Sequence, residues 1–451
     1  MSSRSKLQIR LASLRERFPQ LGNLVANVGW LAGDRLLRMG AGVFVSAWAA
    51  RYLGPGRFGS LNYTLALVTL ASVPAMLGLD SIVKRELVRS PEDRALLLGT
   101  GFSLKIAAGL VIYLLGAIAI CTSGAEPVTR DLVLVTGLVL LVQPFQTSDL
   151  FYQAELKSKR SVCAANIAFG LSTLLRVVLI VTGAGLLAFG AVSVLEAAAA
   201  GAVLTMFYQS DCHDLRAWKF CPALARRLLG QSLPLLLSGI AVVVYMRIDQ
   251  VMLKAMLGEA SVGIYSAALR FTEIWYFVPG VLATVLFPSI LRSRDRGAAD
   301  HARKIQRYYD LNAGLAYLIA IPGSLLAPWI THLFYGAGFA GADAILSVQI
   351  WASVFVFLGV AREQVFLAEG WTRLSLATTA LGGVLNVGLN LVLIPRWGAL
   401  GAAIATVVSQ IVAVYLSLFI FPRTIATGVA MTRALLLPLR LAAHPFRSPA
   451  R

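Results

Sequence analysis

Apolar residues along this chain come in long unbroken runs, parted by short clusters of charge, Gly or Pro. They follow neither the three-and-four spacing of a half-buried helix nor the alternation of a strand. A helix needs about 20 mostly apolar residues to cross a bilayer. Runs of that kind number twelve: residues 24–50, 58–79, 95–121, 132–152, 161–183 and 187–208, then 231–256, 262–290, 311–330, 343–368, 374–394 and 398–421. A polar connection carrying Cys and Trp separates the sixth from the seventh. At residues 183–187 and 395–398 only a tight turn divides two helices.

Composition agrees with a lipid solvent. Of the 451 residues, 58% are hydrophobic and 14% charged, with mean hydropathy +0.75, whereas soluble chains carry about 25% charged residues. The first twenty residues are basic and lack both an apolar core and a small-residue cleavage site, so the chain is expected to insert through its first spanning helix. The net charge of +18 would point to nucleic acid in a soluble protein. Here it reads as loops retained in the cytoplasm, and no nucleic-acid partner is expected. With the amino terminus inside, the outside loops hold Arg51, Arg57, Arg130, Lys254 and Arg396. The remaining cations outside the spans fall on the inner side. The bias persists to the end of the chain, which places both termini and residues 292–307 in the cytoplasm. Cys121, Cys163, Cys212 and Cys221 lack metal spacing; Cys212-His213 with Cys221 has no fourth ligand, so no metal is expected.

The two ends have the character of interfacial segments. Leu7, Leu11, Leu14 and Phe18 form one helical stripe flanked by Arg10, Arg15 and Arg17, as in a helix lying on an anionic leaflet. The tail after Arg423 is interrupted by Arg433, Pro438 and Arg440 and is not counted as a thirteenth span. An internal repeat divides the rest. Gly54 and Gly59, between helices one and two, recur as Gly258 and Gly263, between helices seven and eight, each pair opening on Leu-Gly. Phe189-Gly190-Ala191 is echoed by Leu400-Gly401-Ala402. The expected architecture is an all-α integral membrane protein of about twelve helices in two pseudo-symmetric six-helix lobes around a central cavity. Its expected parts are a basic amphipathic segment (1–23), an N-lobe (24–210), a cytoplasmic linker (211–230), a C-lobe (231–423) and a basic cytoplasmic tail (424–451). Gly-rich turns that recur by chance are the alternative.

Three segments resemble a known family: Leu-Gly-Pro-Gly-Arg-Phe-Gly at 53–59, Gly-Leu-Asp-Ser-Ile-Val-Lys-Arg-Glu at 78–86 and Ile-Pro-Arg-Trp-Gly-Ala-Leu-Gly-Ala-Ala at 394–403. Together they look like the polysaccharide transporters, the O-antigen flippase branch of the multidrug/oligosaccharidyl-lipid/polysaccharide superfamily. The resemblance covers essentially the whole chain. It implies a V-shaped pair of lobes that carries polyprenyl-diphosphate-linked oligosaccharide from the cytoplasmic to the periplasmic leaflet of a bacterial inner membrane. Lipid-linked oligosaccharide and membrane lipids are then the partners, with a polysaccharide polymerase and chain-length machinery as further ones. Related lipid II flippases usually carry two more helices.

Charge inside the spans is the remaining signal. The cations are Arg35, Arg38, Lys105, Arg176, Arg247, Arg270 and Arg362; the acids are Asp34, Asp149, Glu196, Asp249, Glu273 and Glu363. Each costs about 2.5–3.5 kcal/mol at mid-helix on an insertion scale, so all of them facing lipid would cost roughly 30–45 kcal/mol. A folding margin is about 5–15 kcal/mol. Most must face a wet cavity or one another. Asp34, Arg35 and Arg38 share one face of helix one, and Arg270 and Glu273 share a face of helix eight. Arg247 and Asp249 point apart. Since guanidinium donates two parallel hydrogen bonds to phosphate, Arg35, Arg38, Arg247 and Arg270 are candidates for headgroup contact, with Lys105 and Arg176 behind them. Structural ion pairs within a lobe are the alternative for each. Arg362 and Glu363 are candidates for a gate latch. Asp34, Glu196, Asp249 and Glu273 are candidates to carry a coupling proton or sodium ion, Glu196 foremost because its neighbours are small and apolar. No other cofactor is expected.

Competing readings are an ion-coupled drug exporter of the same superfamily, which would want acids dominant in its cavity, and a major-facilitator carrier, whose loop motif residues 78–86 do not supply. A membrane glycosyltransferase or polymerase would need a large external loop or a metal-binding acidic motif. The chain is therefore expected to be a transporter and not an enzyme.

Overall fold

The computed structural model describes residues 19–211, 214–294 and 297–443, with side chains from Arg38 to Arg440, Ser158 apart. The amphipathic stripe at 7–18, the Cys212-His213 pair, the side chains of Asp34 and Arg35, and the end of the tail lie outside the described residues. Among those described there is helix and no strand.

The helical run Pro19–Met76 is broken at Gly54 (φ 72°, ψ 169°) into α1 before it and α2 after it. Then come α3 (Pro91–Thr122), α4 (Pro127–Ala154), α5 (Lys159–Val181), α6 (Leu186–Ser210), α7 (Pro222–Leu257) and α8 (Glu259–Leu291). Helix α9 (Ala298–Leu325) bends by 68° into Ala327–Tyr335, and α10 spans Ala342–Ala368. The run Thr372–Phe419 is broken at Gly398 (φ 60°) into α11 and α12. With the two broken runs divided and α9 counted with its bent extension, twelve helices among the described residues are long and apolar enough to cross a bilayer. This is a multi-pass membrane protein, with six helices on each side of the connection at 211–221. Helix α7 already begins at Pro222, inside the stretch expected as linker.

Glycine places the breaks. Gly54 and Gly258 adopt the same backbone conformation, positive φ with ψ near 180°, a region essentially closed to residues with a Cβ. Gly183 and Gly398 likewise have positive φ at the tight turns before α6 and α12. The repeat thus has matched geometry at its defining turn.

The halves meet along α1, α2, α7 and α8. At the end away from the chain termini, α2 crosses α8 backbone to backbone. A Cβ on Gly59 would lie 1.8 Å from the Glu259 carbonyl oxygen, and one on Gly263 would lie 2.0 Å from that of Pro55. The two copies of the motif therefore pack on each other reciprocally. Around them Phe58 meets Phe339 edge-on across the seam. Arg51 donates to the Leu333 and His332 carbonyls (2.5 and 3.3 Å) at the end of the α9 extension, and Thr129 donates to Glu259 (2.8 Å), which also holds Lys254. This end is closed. At the other end, Arg227 at the start of α7 pairs with Glu86 (3.1 Å), docking α7 on the short helix Leu79–Arg89.

The tail folds back as α13 (Ile425–Leu435) and α14 (Leu437–Ala443). Met431 and Ala434 are fully buried against α9, where Gln306 donates to the Ala430 carbonyl and Tyr317 to that of Leu435.

Candidate functional site

Beneath the closed end lies a cavity with two connected chambers. The one nearer the termini holds about 670 Å³, lined by polar groups of α2, α4 and α6. The one nearer the closed end holds about 660 Å³, with Met39, Val43, Phe58, Leu61 and Met246 on its walls. Both chambers share Arg38, Arg247, Arg270, Glu196 and Glu273, so the charged residues form a layer where the two chambers meet.

Arg247 of α7 pairs with Glu273 of α8 at 3.1 Å, and Arg176 of α5 pairs with Glu196 of α6 at 2.9 Å. Arg270 is exposed to the cavity, although it shares a helix face with Glu273; the carboxylate turns to Arg247 instead. Among the described residues, four guanidinium groups (Arg38, Arg176, Arg247, Arg270) line the cavity against two carboxylates (Glu196, Glu273). Lys105, Asp149, Asp249, Arg362 and Glu363 do not line it.

Lys105 is 3% exposed and donates to Asp80 at 2.5 Å. It ties α3 to the short helix Leu79–Arg89 and does not line the cavity. Arg362, also 3% exposed, donates to the Ala413 carbonyl at 2.8 Å and to Glu363 at 2.8 Å. Its guanidinium satisfies carbonyls of a π-helical turn, Ile411–Tyr415 in α12, where the regular ladder is interrupted. Glu363 accepts from Ser375. All these partners lie in the second half, so the expected latch does not bridge the halves. Contacts that do are those of Arg51, Thr129 and Glu259 at the closed end and Arg227 with Glu86 at the other.

Of the candidate coupling acids, Glu196 and Glu273 each face a guanidinium. Asp249 does not. It is 3% exposed, on α7, and accepts from the Tyr265 hydroxyl (2.7 Å), the Asn390 amide (2.6 Å) and the Thr406 hydroxyl (2.6 Å). Asn390 Oδ1 and Asn386 Nδ2 beside it are buried without partners. The Asn386-x-x-x-Asn390 spacing on an apolar helix was readable, since amides four apart share a face; its meeting with Asp249 was not. The cavity amides Gln143 and Gln146 also escaped the charge-based search. Among the described residues, no cluster of three His, Cys, Asp or Glu could hold a metal ion.

Among the described residues, twelve helices in two halves meet at a seam that is closed at one end and hollow in the middle, the architecture of a membrane transporter. The family model described as polysaccharide biosynthesis protein matches residues 24–294, and this chain belongs to that family, within the superfamily its motifs resemble. The MatE family model matches residues 234–392. The probable flippase AglR of Haloferax volcanii is 24% identical over 411 residues, covering 88% of this chain and 83% of that protein. The probable low-salt glycan biosynthesis flippase Agl15 of the same organism is 24% identical over 390 residues, covering 82% and 79%. Among solved structures, an inward-facing multidrug resistance MATE family transporter of the MOP superfamily superposes with TM-score 0.70 at 18% identity, covering 90% of this chain and 95% of that one. Lipid II flippase MurJ, in an inward closed conformation, gives TM-score 0.70 at 14% identity, covering 92% and 93%.

Proposed function

We propose that this protein moves a lipid-linked oligosaccharide across the cytoplasmic membrane, with the diphosphate held at the arginine layer. The observation that carries the reading is the convergence of Arg38, Arg176, Arg247 and Arg270 on one cavity between the halves, with Arg270 exposed to it. A diphosphate offers these cations negative charge, and planar guanidinium matches its oxygens in pairs. Because Arg247 belongs to α7 and Arg38 to α1, an anion between them is shared by both halves and couples its own binding to their approach. An exporter of cationic drugs would be opposed by the same charge. The names of the relatives agree with a glycan-lipid cargo. The basic loops support chain termini in the cytoplasm; in this reading the glycine crossing lies on the outer side and the cargo enters from the inner leaflet of a bacterial inner membrane. Once outside, the cargo is a substrate for a polymerase.

The coupling ion is assigned to Asp249. A carboxylate removed from water without a cationic partner is costly, and a bound cation or proton relieves it. Oxygen ligands suit a hard monovalent or divalent cation and not a soft one. Asp249, Asn390 and Thr406 are the residues that would hold it, and Asn390 Oδ1, buried without a partner, is an oxygen free to join them.

The ion pair Arg247–Glu273 provides the test in a host lacking its own flippase of this kind. Arg247→Ala should lower folded protein by leaving Glu273 unpaired. Arg247→Ala with Glu273→Ala should restore the folded protein but not surface glycan. Restored export in the double variant would show that Arg247 only balances Glu273, and would remove the headgroup assignment.

A further inference from the structure

Helix α4 does not run straight through the membrane. Its middle passes into a 3₁₀ turn, Gln143–Thr147, with Pro144 at its start. A 3₁₀ helix has three residues per turn, so side chains three apart are eclipsed. Gln143 and Gln146 therefore stand one above the other, and both line the polar chamber. In an α-helix they would diverge by about 60°. The break thus presents two amides on one wall.

Their hydrogen bonding is incomplete. Gln143 Oε1 is buried without a partner. Gln146 Nε2 has only a long bond, 3.3 Å, to the Ala197 carbonyl of α6. The hydroxyls on the α2 wall, by contrast, are turned to their own helix: Thr69 donates to the Leu65 carbonyl and Ser72 to that of Val68, each at 2.7 Å. Facing the amides, α6 offers Ala197 and Ala200, which leave room. Leaving buried polar groups unpaired costs more than satisfying them gains, so this wall is set for a guest with both donors and acceptors.

We infer that the Gln143–Gln146 wall is the subsite for the first sugars of the cargo, read through their hydroxyl or acetamido groups. This rests on the transport reading above and deepens it. Each amide offers a donor and an acceptor, the complement of sugar hydroxyls, which are both at once. Neither an isoprenoid chain nor an apolar drug would use them. The chamber is continuous with the arginine layer through Arg38, Arg247 and Arg270, so a sugar bonded to a phosphate held there extends onto this wall. Its volume falls within the about 300–1,000 Å³ of small-molecule sites.

The test uses the purified full chain and two probes: undecaprenyl diphosphate, and undecaprenyl diphosphate bearing an N-acetylglucosamine-containing disaccharide. The unaltered chain should bind the second at least about tenfold more tightly than the first, as for a few net hydrogen bonds. The double variant Gln143→Leu/Gln146→Leu should lose that preference and keep its affinity for the bare diphosphate, which also reports that it is folded. The shorter amide in Gln143→Asn should give an intermediate loss. Equal binding of the two probes by the unaltered chain, or a parallel loss of both in the variants, would overturn the sugar subsite while leaving transport standing. Binding of neither probe by the unaltered chain would remove the transport reading itself.

Discussion

Gly59 and Gly263 show what a single hydrogen in place of a side chain makes possible. Each backbone lies where the other's Cβ would be, with the Glu259 and Pro55 carbonyls in the way. Gly59→Val or Gly263→Val must therefore pry α2 from α8 at the closed end. The expected outcome is transport lowered by at least about tenfold with normal protein level, and greater labelling of a cysteine placed at Ser60 by a membrane-impermeant thiol reagent. Unchanged labelling and transport would mean the crossing is not needed for closure. The motif was visible in the sequence as a repeat of Leu-Gly and Gly, but that its two copies touch was not, because contact across a pseudo-symmetry axis has no local signature. The charges behaved similarly. Their positions were legible and their partners were not: Arg247 found Glu273, Lys105 found Asp80 of a helix outside the spans, and Arg362 turned to backbone carbonyls.

At the scale of elements, the apolar runs located the spanning helices because lipid leaves only long, internally bonded helices as a solution. What the runs concealed are interruptions. The π-helical turn in α12 keeps the apolar composition of its surroundings, so only hydrogen-bond geometry reveals it, whereas the 3₁₀ turn in α4 is marked by Pro144 between two Gln within an otherwise apolar run. The tail was expected as an interrupted basic segment, yet α13 buries Met431 and Ala434 on α9. Its one arginine, Arg433, is exposed, and Arg440 beyond it pairs with Asp310 of α9, so charge interrupts the apolar signal. Met431→Ala should destabilise this docking by about 2–5 kcal/mol, measured as a lower midpoint in a thermal aggregation assay of the detergent-purified protein. An unchanged midpoint would make α13 a passive appendage.

For the molecule as a whole, two halves must exchange which end is closed, and something must bias that exchange. The Asp249 cluster sits on α7, the helix that also brings Arg247 to the cavity two residues away. Cation or proton occupancy at Asp249 is therefore expected to alter how α7 presents Arg247. Asp249→Asn keeps the shape and removes the charge; it should leave folded protein at its normal level and abolish dependence of transport on sodium or on a pH gradient, read by varying each ion separately in vesicles. Dependence that survives Asp249→Asn would place coupling elsewhere.

Translocation itself is the most direct measurement. Purified chain reconstituted into liposomes should move a fluorescent undecaprenyl-diphosphate-linked disaccharide between leaflets, scored by accessibility to a glycosidase added outside. Arg270→Ala, which removes the cation exposed to the cavity, should incorporate equally and lower the rate at least about a hundredfold, the loss of one charge-assisted pair in a dehydrated site. Translocation no faster than in protein-free liposomes, or a rate indifferent to Arg270→Ala, would contradict a diphosphate held at the arginine layer.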